Sequence, residues 1–140
     1  MTYVVWQTRV AERQVRGLRG ARAAAYVRFE QTLAERGCAA LAYRLTGRDP
    51  LPRICVQHLR GSDRALVAFE SGEAWVLLVG PHDAGDAARD VCRTLYGLAG
   101  VDIPIEPRTK PPCCDEDGQP PTLDTAAVDD LVTRARALRR

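Results

Sequence analysis

Apolar positions recur along this chain in two rhythms, one helical and one strand-like, and the change falls near residue 38. The opening YVVWQ (residues 3–7) is β-branched and aromatic and reads as a short first strand. Thr8 stands where it would cap a helix from about Arg9 to Leu18. Ala11, Val15 and Leu18 fall on one side of that helix, and Arg9, Arg13 and Arg16 fall on the other. Gly17 and Gly20 mark its end. A stronger helix follows over about Ala21 to Arg36. Ala25, Phe29 and Leu33 repeat at every fourth position with Tyr26 alongside, and Gly37 is the stop. A tight turn between the two predicts an antiparallel helical hairpin lying on a sheet.

From residue 38 onward the pattern is that of strands. ALAYRLTG (40–47) is partly extended and ends at the turn-rich GRDPLP. RICVQHLR (53–60), RALVAFE (64–70) and AWVLLVG (74–80) are separated by the turns GSD and SGE, which predicts an antiparallel meander. The last of these is apolar almost throughout, as a strand buried on both faces is. Asp83 is placed to cap a helix over about Ala84 to Leu98, with Ala88, Val91, Leu95 and Leu98 as its buried stripe. The order β-α-α-β-β-β-α predicts an α+β domain over residues 1–100, a small antiparallel sheet with the helical hairpin packed on it. Residues 101–123 contain six prolines and read as a linker or strapped-down arm. Residues 124–140 read as an amphipathic C-terminal helix, with Ala127, Val128, Leu131, Val132, Ala135 and Leu138 on one face. A lone helix of that length is marginal in water and needs a surface to pack on.

Length and composition set the bounds on function. A chain of 140 residues, 46% hydrophobic and 27% charged, fits one folded domain with a short appendage. No apolar run approaches membrane-spanning length and the N-terminus lacks a signal-peptide core, so no membrane role is expected. The net charge is only +2, but it is unevenly spread. Residues 1–100 carry 14 Arg against 10 acids, whereas residues 101–140 carry 6 basic residues against 8 acids. A basic body is compatible with polyanionic partners without requiring them. A single lysine (Lys110) stands among 20 basic residues. Arg stabilises anions but scarcely acts as a base, so proton transfer near neutrality falls to His58, His82, a carboxylate, a Tyr or a perturbed Cys.

The five cysteines form neither a CxxC pair nor a Cys/His zinc spacing, so no metal site or disulfide framework is expected. Cys38, Cys55 and Cys92 lie in apolar runs where a thiol packs as a small hydrophobe, and Cys113–Cys114 sits in a polar stretch. A reducing cytoplasm is the expected location.

Several segments, in their order, resemble the RelE/ParE superfamily of bacterial toxin–antitoxin toxins, over roughly residues 3–98. The opening strand and Arg-rich helix pair are similar to the family's N-terminal half. YRLTG (43–47) resembles its Leu-x-Gly segment, HLRGSDRALVAFE (58–70) its two central strands, and VGPHDAGDAARDVCRTLY (79–96) its last strand and closing helix. The resemblance implies a RelE-like fold and, in the RelE branch, cleavage of messenger RNA on the ribosome with no cofactor and no metal. The ribose 2′-OH attacks the adjacent phosphate, which needs a proton acceptor, a proton donor and cations. DNA lacks the 2′-OH, so the chemistry selects RNA.

By position in the resemblance, His58 and His82 are the expected acid/base pair, with Arg60 and Arg64 as phosphate clamps. The division of acid and base between the two histidines stays open. Arg44 and Arg48 are second candidates for substrate contact, and the Arg9/Arg13/Arg16 stripe for ribosomal RNA. Each has a plainer reading, as a solvated strand-end histidine or an ordinary exposed charge. The chain departs from the family pattern where Cys92 replaces a closing-helix Tyr, with Tyr96 one turn later, and in lacking the family's lysines. The partners implied are messenger RNA, the ribosome and a cognate antitoxin. The alternatives are a ParE-like inhibitor of DNA gyrase and a non-catalytic binding module. The tail either enlarges the core or, through its acidic DED (115–117), masks cationic groups of the body. Oligomeric state is not legible in the sequence.

Overall fold

The computed structural model describes residues 3–44, 54–70, 72–83, 90–99, 112–121 and Thr133. Strand β1 (Val4–Gln7) runs directly into α1 (Arg9–Arg16) through Thr8, whose hydroxyl oxygen accepts from the Ala11 amide at 3.0 Å, the expected cap. α2 (Ala21–Arg36) buries Tyr26, Phe29 and Leu33. A 3-10 turn (Gly37–Ala40) then leads to β2 (Tyr43–Arg44). Gly37 has φ +58°, and a Cβ added there would lie 2.4 Å from the Tyr3 ring, so position 37 admits only glycine without rearrangement. β3 (Ile54–His58), β4 (Asp63–Glu70) and β5 (Glu73–Pro81) follow, and then α3 (Val91–Ala99).

The fold is α+β, with five strands in the order β1-β5-β4-β3-β2. β2 through β5 form the expected antiparallel meander, but the sheet is not wholly antiparallel. β1 lies parallel to β5, with Trp6 opposite Trp75. The reason is topological. The helical hairpin carries the chain from β1 to the far edge, and the meander then returns until its last strand reaches β1.

Both faces of the sheet are covered, which explains the continuous apolar run in β5. On one face Tyr26, Phe29 and Leu33 of α2 pack with Val67, Phe69, Ala74 and Val76. On the other, Val91, Cys92 and Leu95 of α3 pack with Ile54, Val56, Leu66 and Leu78. α3 begins later than expected. Asp90, not Asp83, caps it, accepting from the Arg93 amide at 3.3 Å. Residues 84–89 lie outside the described residues, as do Ala88 and the 124–140 helix apart from Thr133, which is helical.

β1 pairs with only the first part of β5. Beyond it, α1 supplies the partners. The Thr8 amide donates to Val76 O at 3.1 Å and the Thr8 hydroxyl to Leu77 O at 2.7 Å. The Gln14 side-chain oxygen accepts from the Val79 amide at 2.7 Å. Leu77 is the extra residue where the β4–β5 register shifts, so Thr8 satisfies a carbonyl that the ladder leaves over.

The cysteine reading is corrected. Cys38 is bonded to Cys114 and Cys55 to Cys113, with Cα–Cα distances of 5.3 and 5.7 Å. Residues 112–121 are therefore a strapped-down arm. Both partners of the arm, Cys38 and Cys55, belong to the α2 face. Spacing gave no sign of this, because 3-10 turn, strand and arm converge only after folding.

Candidate functional site

His58 ends β3, and its Cα partner on β4 is Arg64, whose partner on β5 is in turn Gly80. His82 is two residues past Gly80. Cross-strand partners point the same way, so His58, Arg64 and Gly80 share the α3 face at one end of the sheet, and His82, just past the end of β5, reaches that face through its contact with Asp90 at the start of α3. Strand spacing of about 4.8 Å puts the strands of the two histidines about 10 Å apart, with Arg64 between them. Gly80 contributes no side chain, and α3 closes over it with Val91 Cβ 3.7 Å from where a Cβ would stand.

Each histidine is held by a second side chain. His58 is exposed, with Nε2 3.0 Å from the Tyr43 hydroxyl and the two rings nearly perpendicular. His82 Nδ1 lies 2.7 Å from Asp90 Oδ1, and its backbone amide donates to Ser62 O at 2.8 Å, tying the end of β5 to the β3–β4 turn. A carboxylate only accepts, so Nδ1 donates and the proton-accepting atom of the neutral ring is Nε2. Asp90 Oδ1 also accepts from the Asp83 amide at 3.0 Å, and Arg93 Nε stands 3.9 Å from Oδ2. Asp90 is buried, while the His82 side chain is 34% exposed. One carboxylate thus starts a helix and fixes an imidazole at the protein surface.

The Arg64 guanidinium folds over the turn and donates to Gly61 O at 3.3 Å and Asp63 O at 3.1 Å. β3 ends at His58, so Arg60 is an exposed turn residue and the strand alternation that would align it with His58 stops short of it. Arg44 pairs through its backbone with Cys55, and Arg48 lies outside the described residues. Arg9, Arg13 and Arg16 form the expected exposed face of α1, where Arg16 makes an ion pair with Glu12.

No protein-family model, curated protein or solved structure matches this chain. Function is therefore read from the chemistry of the site.

Sequence reasoning missed Tyr43 and Asp90 as positioning groups. A signal for Asp90 did exist, since an Asp directly before an apolar helical stripe is a capping residue. It also missed Asp63, a buried carboxylate that receives a forked pair of bonds from Arg22 of α2 at 2.7 and 2.8 Å. That pair raises the Arg22 pKa above its ordinary value, through the hydrogen bond first and the charge of Asp63 second. Cys92, read as core, is indeed buried, yet it also closes a group with His82 and Asp90 whose ligand atoms lie within 4.8 Å of one another. The acidic arm residues are exposed and belong to a small loop in which Asp115 Oδ1 accepts from the Asp117 and Gln119 amides, both at 2.9 Å. The arm is strapped to the α2 face, opposite His58, Arg64 and His82, so DED does not cover them.

Proposed function

We propose that this chain is a RelE-type endoribonuclease of the RelE/ParE superfamily that cleaves messenger RNA on the ribosome. The observation that carries the reading is that His58 ends β3 and His82 directly follows β5, the two strands flanking Arg64, with each ring held by a neighbour. The strand–helix–helix–meander–helix order supports it as well.

In this reading His82 is the base. Asp90 holds its Nδ1–H, so Nε2 takes the proton from the ribose 2′-OH while that oxygen attacks the adjacent phosphorus. Arg64, with exposed Arg60 beside the turn, stabilises the charge that builds on the phosphorane oxygens. His58 gives a proton to the 5′ oxygen as its bond to phosphorus breaks. The products are a 2′,3′-cyclic phosphate and a 5′-hydroxyl. Ribosome-bound messenger lies in the cytoplasm, whereas the arm's two disulfides are the mark of an oxidising compartment and weigh against that location. A cognate antitoxin is the implied protein partner.

The test is primer-extension mapping of a ribosome-bound messenger with purified wild type, His58→Ala and His82→Ala. Cleavage by wild type is expected to fall by about two orders of magnitude in each variant. Absence of cleavage by folded wild type, with and without ribosomes, would overturn the nuclease reading. Inhibition of supercoiling by purified gyrase would then indicate the ParE-like alternative.

A further inference from the structure

The geometry points to a binding site for a zinc-class transition-metal ion formed by His82, Asp90 and Cys92. The site is independent of whether the chain cleaves RNA. Three different donors, an imidazole nitrogen, a carboxylate oxygen and a thiol sulfur, converge from the end of β5 and the start of α3, with all ligand atoms within 4.8 Å of one another. Tetrahedral bonds of about 2.0–2.3 Å to one ion set such donors roughly 3–4 Å apart, so small side-chain rotations close the site.

Donor chemistry selects the ion. Thiolate and imidazole suit zinc, cobalt or copper, and a sulfur ligand disfavours magnesium and calcium. Cys92 is the second residue of α3 and Asp90 caps that helix, so two of the three donors come from one helix end. The carboxylate and thiolate together balance a dication. Asp90 Oδ2 keeps its bond to the Arg93 amide, while Oδ1, which also accepts from the Asp83 amide, faces His82 and supplies the carboxylate donor. Asp90 and Cys92 are buried and His82 stands at the surface, so the fourth position opens to solvent, the pattern of a site with an exchangeable ligand.

Binding releases the thiol proton and occupies the imidazole that the nuclease reading uses as base. Resting on that reading, zinc is a reversible inhibitor of cleavage.

The test is titration of the purified full chain, disulfides intact and without thiol reductant, with Co(II) as spectroscopic probe and Zn(II) as competitor. One equivalent of Co(II) is expected to give tetrahedral visible bands and a sulfur-to-cobalt charge-transfer band, both removed by Zn(II). Cys92→Ser should abolish the charge-transfer band, and His82→Ala and Asp90→Asn should each weaken binding at least about tenfold. Asp90→Asn retains a capping oxygen, and His82→Ala changes a surface side chain, so both report on binding if Cys92→Ser fails to fold. Wild type that shows no charge-transfer band, or a band that survives in folded Cys92→Ser, would sink the proposal. These are binding readouts, so they remain decisive if no RNA is cleaved.

Discussion

His82 Nδ1 lies 2.7 Å from Asp90 Oδ1, and the same Asp90 side chain caps α3 through its other oxygen. The orientation of a surface imidazole is thereby coupled to the seating of a helix. Asp90→Ala should lose both functions. We expect a cost of about 1–2 kcal/mol from the missing cap, measured by urea denaturation. Asp90→Asn should recover most of that stability, but its cleavage rate should stay at least about tenfold below wild type. Equal recovery of stability and rate would show that the carboxylate matters only as a cap.

Arg22 and Asp63 link α2 to the β3–β4 hairpin. The carboxylate is buried and the arginine half-exposed, so Arg22→Ala leaves an uncompensated buried acceptor. A loss of about 1–3 kcal/mol is expected. Adding Asp63→Asn to that variant should restore part of it, and a double-mutant cycle checks the coupling.

Tyr26 provides a pH-dependent term. Its hydroxyl accepts from Gln7 Nε2 at 2.7 Å, and burial, the largest cause, pushes its pKa up. A raised folded-state pKa means that the contribution is fully present below the unfolded value, about pH 10, and is lost as pH rises beyond it. Stability should therefore begin to fall as pH rises past about 10 and keep falling toward the raised folded-state value, and the fall should be shallower in Tyr26→Phe. Identical slopes for the two proteins would refute a role for this phenol.

The helices, the meander and the double burial of β5 were legible because each rests on local periodicity: Phe29 and Leu33 on one helix face, Gly, Ser and Asp at the turns. Four features were not. The parallel pairing of Trp6 with Trp75 joins distant segments with no local signal. The exposure of Trp6, 46%, and its stacking on Trp75 depend on β1 being an edge strand. The disulfides join residues separated by 76 and 58 positions. In the candidate site, His58, Arg64 and His82 were named from resemblance, whereas Tyr43 emerges only from the fold and Asp90 was legible as a helix cap but not as the group that holds His82.

The arm offers a fourth prediction. Its two disulfides close long loops, so their reduction should cost about 2–5 kcal/mol in denaturant unfolding. The arm lies on the α2 face, so cleavage should persist in the reduced protein. Loss of cleavage on reduction, with the fold retained, would show that the arm acts on the opposite face.

The bonds from Thr8 and Gln14 to β5 also bear on how the chain behaves in a crowd. A sheet edge with idle amides and carbonyls invites a strand from another molecule. Here, past the end of β1, the carbonyls of Val76 and Leu77 and the amide of Val79 are already engaged by α1. A foreign strand would have to dislodge a helix before it could add to the sheet, so this stretch is guarded against edge-to-edge aggregation by two polar side chains and one backbone amide.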